Sequence, residues 1–120
     1  MTTRKWGNEA IVADAEAINF NNNDKGLDIV TLANGSYVVA WIDQHGTDTI
    51  KAQKFDASGN RFGDVFEIGA SIASSSKIDV ALTALADGGF VAAFTNGANA
   101  GDSWFERYDS TGTAVQTSLW

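Results

Sequence analysis

The chain has 120 residues and a mass of 12.7 kDa, the size of one ordinary domain. Fifteen acidic residues against eight basic ones leave a formal charge of −7, which disfavours a surface that tracks the phosphates of nucleic acid or of anionic lipid. Cysteine is absent, which excludes disulfide staples, thiol catalysis and cysteine metal sites, and the single His45 has no histidine partner for a catalytic zinc.

No apolar run approaches the ~18 residues that a membrane span needs, and the opening Met1-Thr2-Thr3-Arg4-Lys5 lacks the apolar core of a cleavable signal peptide. Proline is also absent while glycine reaches 12, so the chain must turn by glycine and Asn/Asp chemistry. From the N-terminus, Trp6-Gly7 can be set over Phe62-Gly63, so residues 5–13 read as an outermost strand at a seam. Asn8 to Ile18 can form an edge strand or one short helix, with the strand preferred, and Asn21-Asn22-Asn23-Asp24 is a polar loop.

The rest of the chain is written twice. Leu32-Ala33-Asn34-Gly35-Ser36-Tyr37-Val38-Val39-Ala40-Trp41 lies over Leu85-Ala86-Asp87-Gly88-Gly89-Phe90-Val91-Ala92-Ala93-Phe94 at an offset of 53 residues. The same offset sets Gln53-Lys54-Phe55-Asp56-Ala57-Ser58-Gly59 over Glu106-Arg107-Tyr108-Asp109-Ser110-Thr111-Gly112. Two separated blocks that agree on one offset mark an internal repeat. In the first unit the spacing predicts strands over Leu27–Ala33, Tyr37–Ile42, Thr49–Phe55 and Arg61–Ile68, with a two-residue hairpin at Asn34-Gly35. In the second it predicts Val80–Ala86, Phe90–Thr95, Ser103–Tyr108 and Thr113–Leu119. Asp56-Ala57-Ser58-Gly59 and Asp109-Ser110-Thr111-Gly112 are turns in which Asp accepts from local amides and Gly takes a left-handed position. Each unit is thus a four-stranded antiparallel meander.

The second strand of each unit is apolar on both faces. Tyr37, Val39 and Trp41 alternate with Val38, Ala40 and Ile42, and Phe90, Ala92 and Phe94 alternate with Val91 and Ala93. An antiparallel sheet with one wet face would not carry that pattern. The expected cover is another copy of the same sheet, which makes the units blades of a β-propeller, a ring of ~4–8 such sheets. The predicted fold is all-β, with two four-stranded antiparallel β-propeller blades per chain and the ring completed by homo-oligomerisation. A trimer is preferred over a dimer or tetramer. The single domain of residues 1–120 divides into the seam strand and loop of 1–26, a first blade over 27–70 and a second over 71–120.

The two repeated blocks, extended through Asn60-Arg61-Phe62-Gly63, resemble repeats of large secreted bacterial proteins, the calcium-associated adhesins and RTX-type exoproteins, whose units carry a Leu-x-Asp-Gly-Gly-Phe-Val-Val-x-Trp core followed by Gln-Arg-Tyr-Asp-x-x-Gly. The resemblance covers most of residues 27–120. It implies a propeller-like unit, an extracellular or cell-surface location, and adhesive or carbohydrate-binding work. The chain departs from that family in having only two units and in lacking Gly-Gly-x-Gly-x-Asp nonapeptides. In architecture it is similar to small lectins built as oligomeric propellers.

Trp104, Glu106 and Tyr108 alternate on one strand and share a face, while Arg107 points to the other. An indole beside a carboxylate and a cation suits a sugar, because the ring covers the apolar face of a pyranose while charged groups bond its hydroxyls, which makes Trp104, Glu106, Tyr108 and Arg107 the candidate ligand-binding residues. Packing between blades is the plainer role for the same residues, and an inter-blade ion pair is the plainer role for Arg107 and its counterpart Lys54. Trp41 is expected in the core, and Trp6 and Trp120 at the seam. Asp43, Asp48 and Asp102 lie on one rim, where calcium is conceivable, but solvated loop charge explains them more simply; no cofactor is required. Asp56 to Glu67 has the length of an EF-hand loop, but Gly59 falls at position four instead of six, so a hairpin is expected there. No serine elbow, phosphate loop or dinucleotide fingerprint is present. The expectation is a non-catalytic, lectin-like or adhesive module that binds itself and glycans, neither nucleic acid nor membrane interior; the alternative is a self-assembling structural fragment without a ligand.

Overall fold

The structure is a computed structural model that describes residues 26–44, 47–72, 76–97 and 101–119. Its strands are β1 (Leu27–Thr31), β2 (Tyr37–Asp43), β3 (Thr49–Phe55), β4 (Arg61–Ile68), β5 (Lys77–Ala84), β6 (Phe90–Asn96), β7 (Asp102–Tyr108) and β8 (Ala114–Leu119). The first four form one antiparallel sheet in chain order and the last four form a second, with no helix among the described residues. The described residues are therefore all-β, as expected. The proposed seam strand, the segment Asn8–Ile18, Trp6, His45 and Trp120 lie outside the described residues.

The hairpins within each sheet that close at Leu32–Ser36, Asp56–Asn60, Leu85–Gly89 and Asp109–Thr113 share one design. In the first, the Leu32 amide donates to the Ser36 carbonyl and the Gly35 amide to the Leu32 carbonyl, so the loop is Ala33-Asn34-Gly35. The other three repeat both bonds at equivalent positions. Gly35 at φ +84° takes the left-handed position that closes a three-residue loop. The two-residue hairpin expected at Asn34-Gly35 is thus corrected by one residue: Leu32, not Ala33, faces Ser36, and the Asn34 side chain accepts from the Ser36 amide.

The repeat is also a repeat of register. Tyr37 pairs with Phe55 and Phe90 with Tyr108; Leu27 pairs with Trp41 and Val80 with Phe94. Equivalent positions even stack alike, Tyr37 on Phe55 at 5.1 Å and Phe90 on Tyr108 at 4.6 Å between ring centroids. The sheets diverge at the last strand, because the irregularity in the β3–β4 ladder lies between Ala52 and Lys54, whereas that in β7–β8 lies between Arg107 and Tyr108.

Corresponding faces can therefore be named alike. The obverse of the first sheet carries Val38, Ala40 and Ile42 and its reverse Tyr37, Val39 and Trp41; the counterparts are Val91, Ala93 and Thr95 on the obverse of the second sheet and Phe90, Ala92 and Phe94 on its reverse. One core joins the obverse of the first sheet to the reverse of the second. Val38, Ala40, Ile42, Ile50 and Ala52 pack with Val80, Phe90, Ala92, Phe94 and Tyr108, and β5 lies against β1, β2 and β3. Alternating small and large residues allow this, since Ala40, Ala52 and Ala92 make room for the rings of Phe90 and Phe94.

Both faces of β2 are dry within a single chain: Val38 and Ala40 are fully buried on the obverse, and Val39 and Trp41, the latter 2% exposed, are buried on the reverse. The two-sided apolar pattern is thus satisfied at β2 without a neighbour. At β6 it is not, because Ala93 is exposed and Val91 only half-buried on the obverse. Phe90, which has no exposed surface, anchors the shared core. Phe90→Ala should lower unfolding free energy by about 3–5 kcal/mol, read from urea denaturation, because it leaves a cavity between two sheets that cannot close independently.

Candidate binding site

The three residues expected to share a face do so, but at different depths. On β7, Glu106 is 4% exposed and lies between the sheets, with Tyr108 beside it and equally covered. Glu106 Oε2 accepts from the Gly69 amide at 2.7 Å and from the Tyr108 hydroxyl at 2.6 Å, and Oε1 accepts from the Thr117 hydroxyl at 2.8 Å. Burial, and after it the adjacent Glu106 carboxylate, push the Tyr108 phenol far above its ordinary range. Glu106 therefore ties the connection after β4 to the middle of the second sheet and to β8. Its oxygens already satisfy three donors, and the residue is almost wholly buried.

Arg107 and Trp104 stand nearer solvent. The Arg107 guanidinium donates to Asp87 Oδ2 at 2.6 Å within its own sheet, and among the described residues it makes no ion pair between sheets. An exposed pair of this kind contributes little stability. The equivalent Lys54 does cross between sheets, with Nζ donating to the Ser110 carbonyl at 2.8 Å, a hydrogen bond to backbone where an ion pair was the expectation. Trp104 lines an open cavity of about 270 Å³ with Asp79, Ala81, Ala93, Thr95 and Ser103. The indole N–H of Trp104 is buried and meets no acceptor among the described residues. Sequence reasoning missed Asp79, Gly69 and also Asp28, whose Oδ2 accepts from the Leu82 amide of the other sheet at 2.7 Å. The signal for Asp28 was legible as the lone acid in the apolar stretch from Leu27 to Ala33.

The remaining carboxylates are occupied by turns. Asp56 Oδ1 accepts from the Ser58 and Asn60 amides at 2.9 Å each, and Asp109 Oδ1 accepts from the Thr111 and Thr113 amides and from the Thr111 hydroxyl. This is hairpin geometry, not a calcium loop. Among the described residues no three His, Cys, Asp or Glu side chains converge as a metal site, and Asp43, Asp48 and Asp102 form no such group. No helix among them is long and apolar enough to cross a membrane.

Comparison with known proteins adds no assignment. No family model, curated protein or solved structure matches the chain.

Two predictions follow from this geometry. Glu106→Gln replaces one acceptor oxygen with an amide N–H that must face a donor, so urea denaturation should show a loss of about 1–3 kcal/mol. The second concerns acid. Asp56, Asp87 and Asp109 are held below the ordinary carboxylate range, chiefly by the Asn60 amide, the Gly89 amide and the Thr111 hydroxyl respectively. A carboxylate depressed in the folded state stabilises fully above its unfolded value of about 4, and that contribution is lost as pH falls through the folded value. The urea midpoint should therefore fall below about pH 4, and Asp109→Asn should make that fall shallower.

Proposed function

We propose that the chain is a self-assembling pair of β-propeller blades and works as a non-catalytic adhesive module whose ring is completed by further copies. The observation that carries the reading is the contact between unlike faces, obverse of the first sheet on reverse of the second. Contact between unlike faces of two repeats leaves one face of each kind at the two ends of the pair: the obverse of the second sheet is open at Ala93, and the reverse of the first is covered at Val39, Trp41, Gln53 and Phe55 but exposed along β1 at Leu27 and Ile29. A heterologous contact of that sort closes into a ring when the rotation permits and otherwise runs on as a filament. With ~4–8 blades per ring, two, three or four chains would suffice, and the trimer is the preferred assembly. On this reading the module acts at a bacterial cell surface or beyond it, as the resemblance of its repeats to exported adhesins implies. Native mass spectrometry at micromolar concentration tests the assembly: a discrete complex of a few 12.7 kDa chains is expected, and a uniformly single chain would reject it.

A second reading, lectin-like sugar binding, is favoured by the Trp104 N–H, which meets no acceptor among the described residues, beside a cavity that also presents Asp79, Thr95 and Ser103. Those groups offer an aromatic surface with hydroxyl-bonding partners around it. A multivalently displayed chain should then retain particular saccharides on a glycan array and lose them with Trp104→Ala. A blank array at high display density leaves the assembling role alone.

A further inference from the structure

Leu27 and Ile29 are large aliphatic residues on the reverse of β1, yet they are 73% and 60% exposed. Their counterparts 53 residues on are Val80 and Leu82, on the reverse of β5. Those two belong to the inter-sheet core: Val80 is 6% exposed and Leu82 packs against the same cluster. The same position in the repeat is therefore an interface residue in the second sheet and an uncovered one in the first.

The seat that receives Val80 and Leu82 has a counterpart as well. In the first sheet it is formed by Gly26, Asp28, Ala40, Ile42 and Ile50. A Cβ placed on Gly26 would lie 3.4 Å from Val80 Cγ1 and 3.0 Å from Ile42 Cδ1, Ala40 and Ile50 share the cluster with Val80, and Asp28 accepts from the Leu82 amide. Moved on by 53 residues, those positions become Asp79, Ala81, Ala93, Thr95 and Ser103. All five line the open cavity of about 270 Å³ on the second sheet.

We infer that this cavity is a socket for Leu27 and Ile29 of a second copy of the chain. The inference rests on the assembly reading above and gives that assembly its contact. The socket and its plug are the exposed counterparts of one part of an interface that the chain already makes once, internally; the first sheet's reverse is already covered at Val39, Trp41, Gln53 and Phe55, so the contact between copies is confined to the β1 edge. The external version is more polar than the internal one, because Thr95 and Ser103 stand where Ile42 and Ile50 stand in the first sheet, and Asp79 stands at Gly26. The contact between copies is accordingly weaker than the contact between sheets, and the assembly depends on concentration.

The chain has no cysteine, so introduced thiols report without background. Leu27→Cys and Asp79→Cys, prepared separately and mixed under mild oxidation, should give a covalent dimer of one of each. Leu27→Asp, at an exposed position that should leave the circular dichroism spectrum unchanged, should weaken association at least about tenfold by sedimentation. A discrete complex by native mass spectrometry without the mixed dimer overturns the socket and leaves the assembly standing. Asp79→Cys coupling preferentially to itself also overturns the socket, since it reports like faces meeting. A chain that stays single overturns both, and saccharide held in the cavity of that single chain assigns the cavity to the lectin reading instead.

Discussion

Everything in this molecule depends on one apolar contact between unlike faces. The first sheet offers the side of β2 that carries Val38, Ala40 and Ile42, and the second offers the opposite side of its own repeat, where Val80, Phe90 and Phe94 project. The chain has no disulfide and the described residues contain no helix to lay across a sheet, so among them it is this contact that joins the two sheets. The polar bonds across the same boundary then fix its geometry. Asp28 takes the Leu82 amide, Lys54 the Ser110 carbonyl, and Glu106 the Gly69 amide. Each joins a charged side chain to backbone, so the sheets are indexed to one another by groups whose positions the strands already determine.

Much of this order was legible in the residues. Thr49–Phe55 and Arg61–Ile68 have the bounds the spacing predicts because Asp56 and Gly59 announce the turn between them, and both do chemically what their types require. Alternation correctly put Trp104, Glu106 and Tyr108 on one face. It could not say which face of the sheet would be covered, because period two is the same seen from either side. That is why a carboxylate that suits a sugar turned out to be a tie between sheets. Its partner Gly69 lies 37 residues away in a connection with no strand signal, and only the folded chain brings the two together.

The same ambiguity affected the reasoning about cover. Two-sided apolar strands pointed to a need for shielding, and β2 does find it on both sides, within one chain. The repeat conceals a difference in composition between its two obverse faces: Ile42, Ile50 and Ala52 in the first unit are Thr95, Ser103 and Phe105 in the second. Hydroxyls at two of those three places make the second obverse tolerant of water, and a small cavity there is correspondingly stable when open. A sheet that can be left wet or be docked is suited to reversible partnership, whereas its counterpart is committed to the interior.

The four hairpins closed by the same three-residue loop also govern how quickly the chain can reach this state. With no proline anywhere, no slow isomerisation of a peptide bond stands between the unfolded chain and its strands. Within each sheet every strand pairs with the next in sequence, so only short loops have to close before contacts reward them. The demanding event in folding is the meeting of two meanders already in register, and it involves residues more than fifty positions apart, such as Asp28 and Leu82. A nascent chain would therefore hold its first sheet before the second exists, with the greasy side of β2 waiting on ribosomal synthesis for its lid.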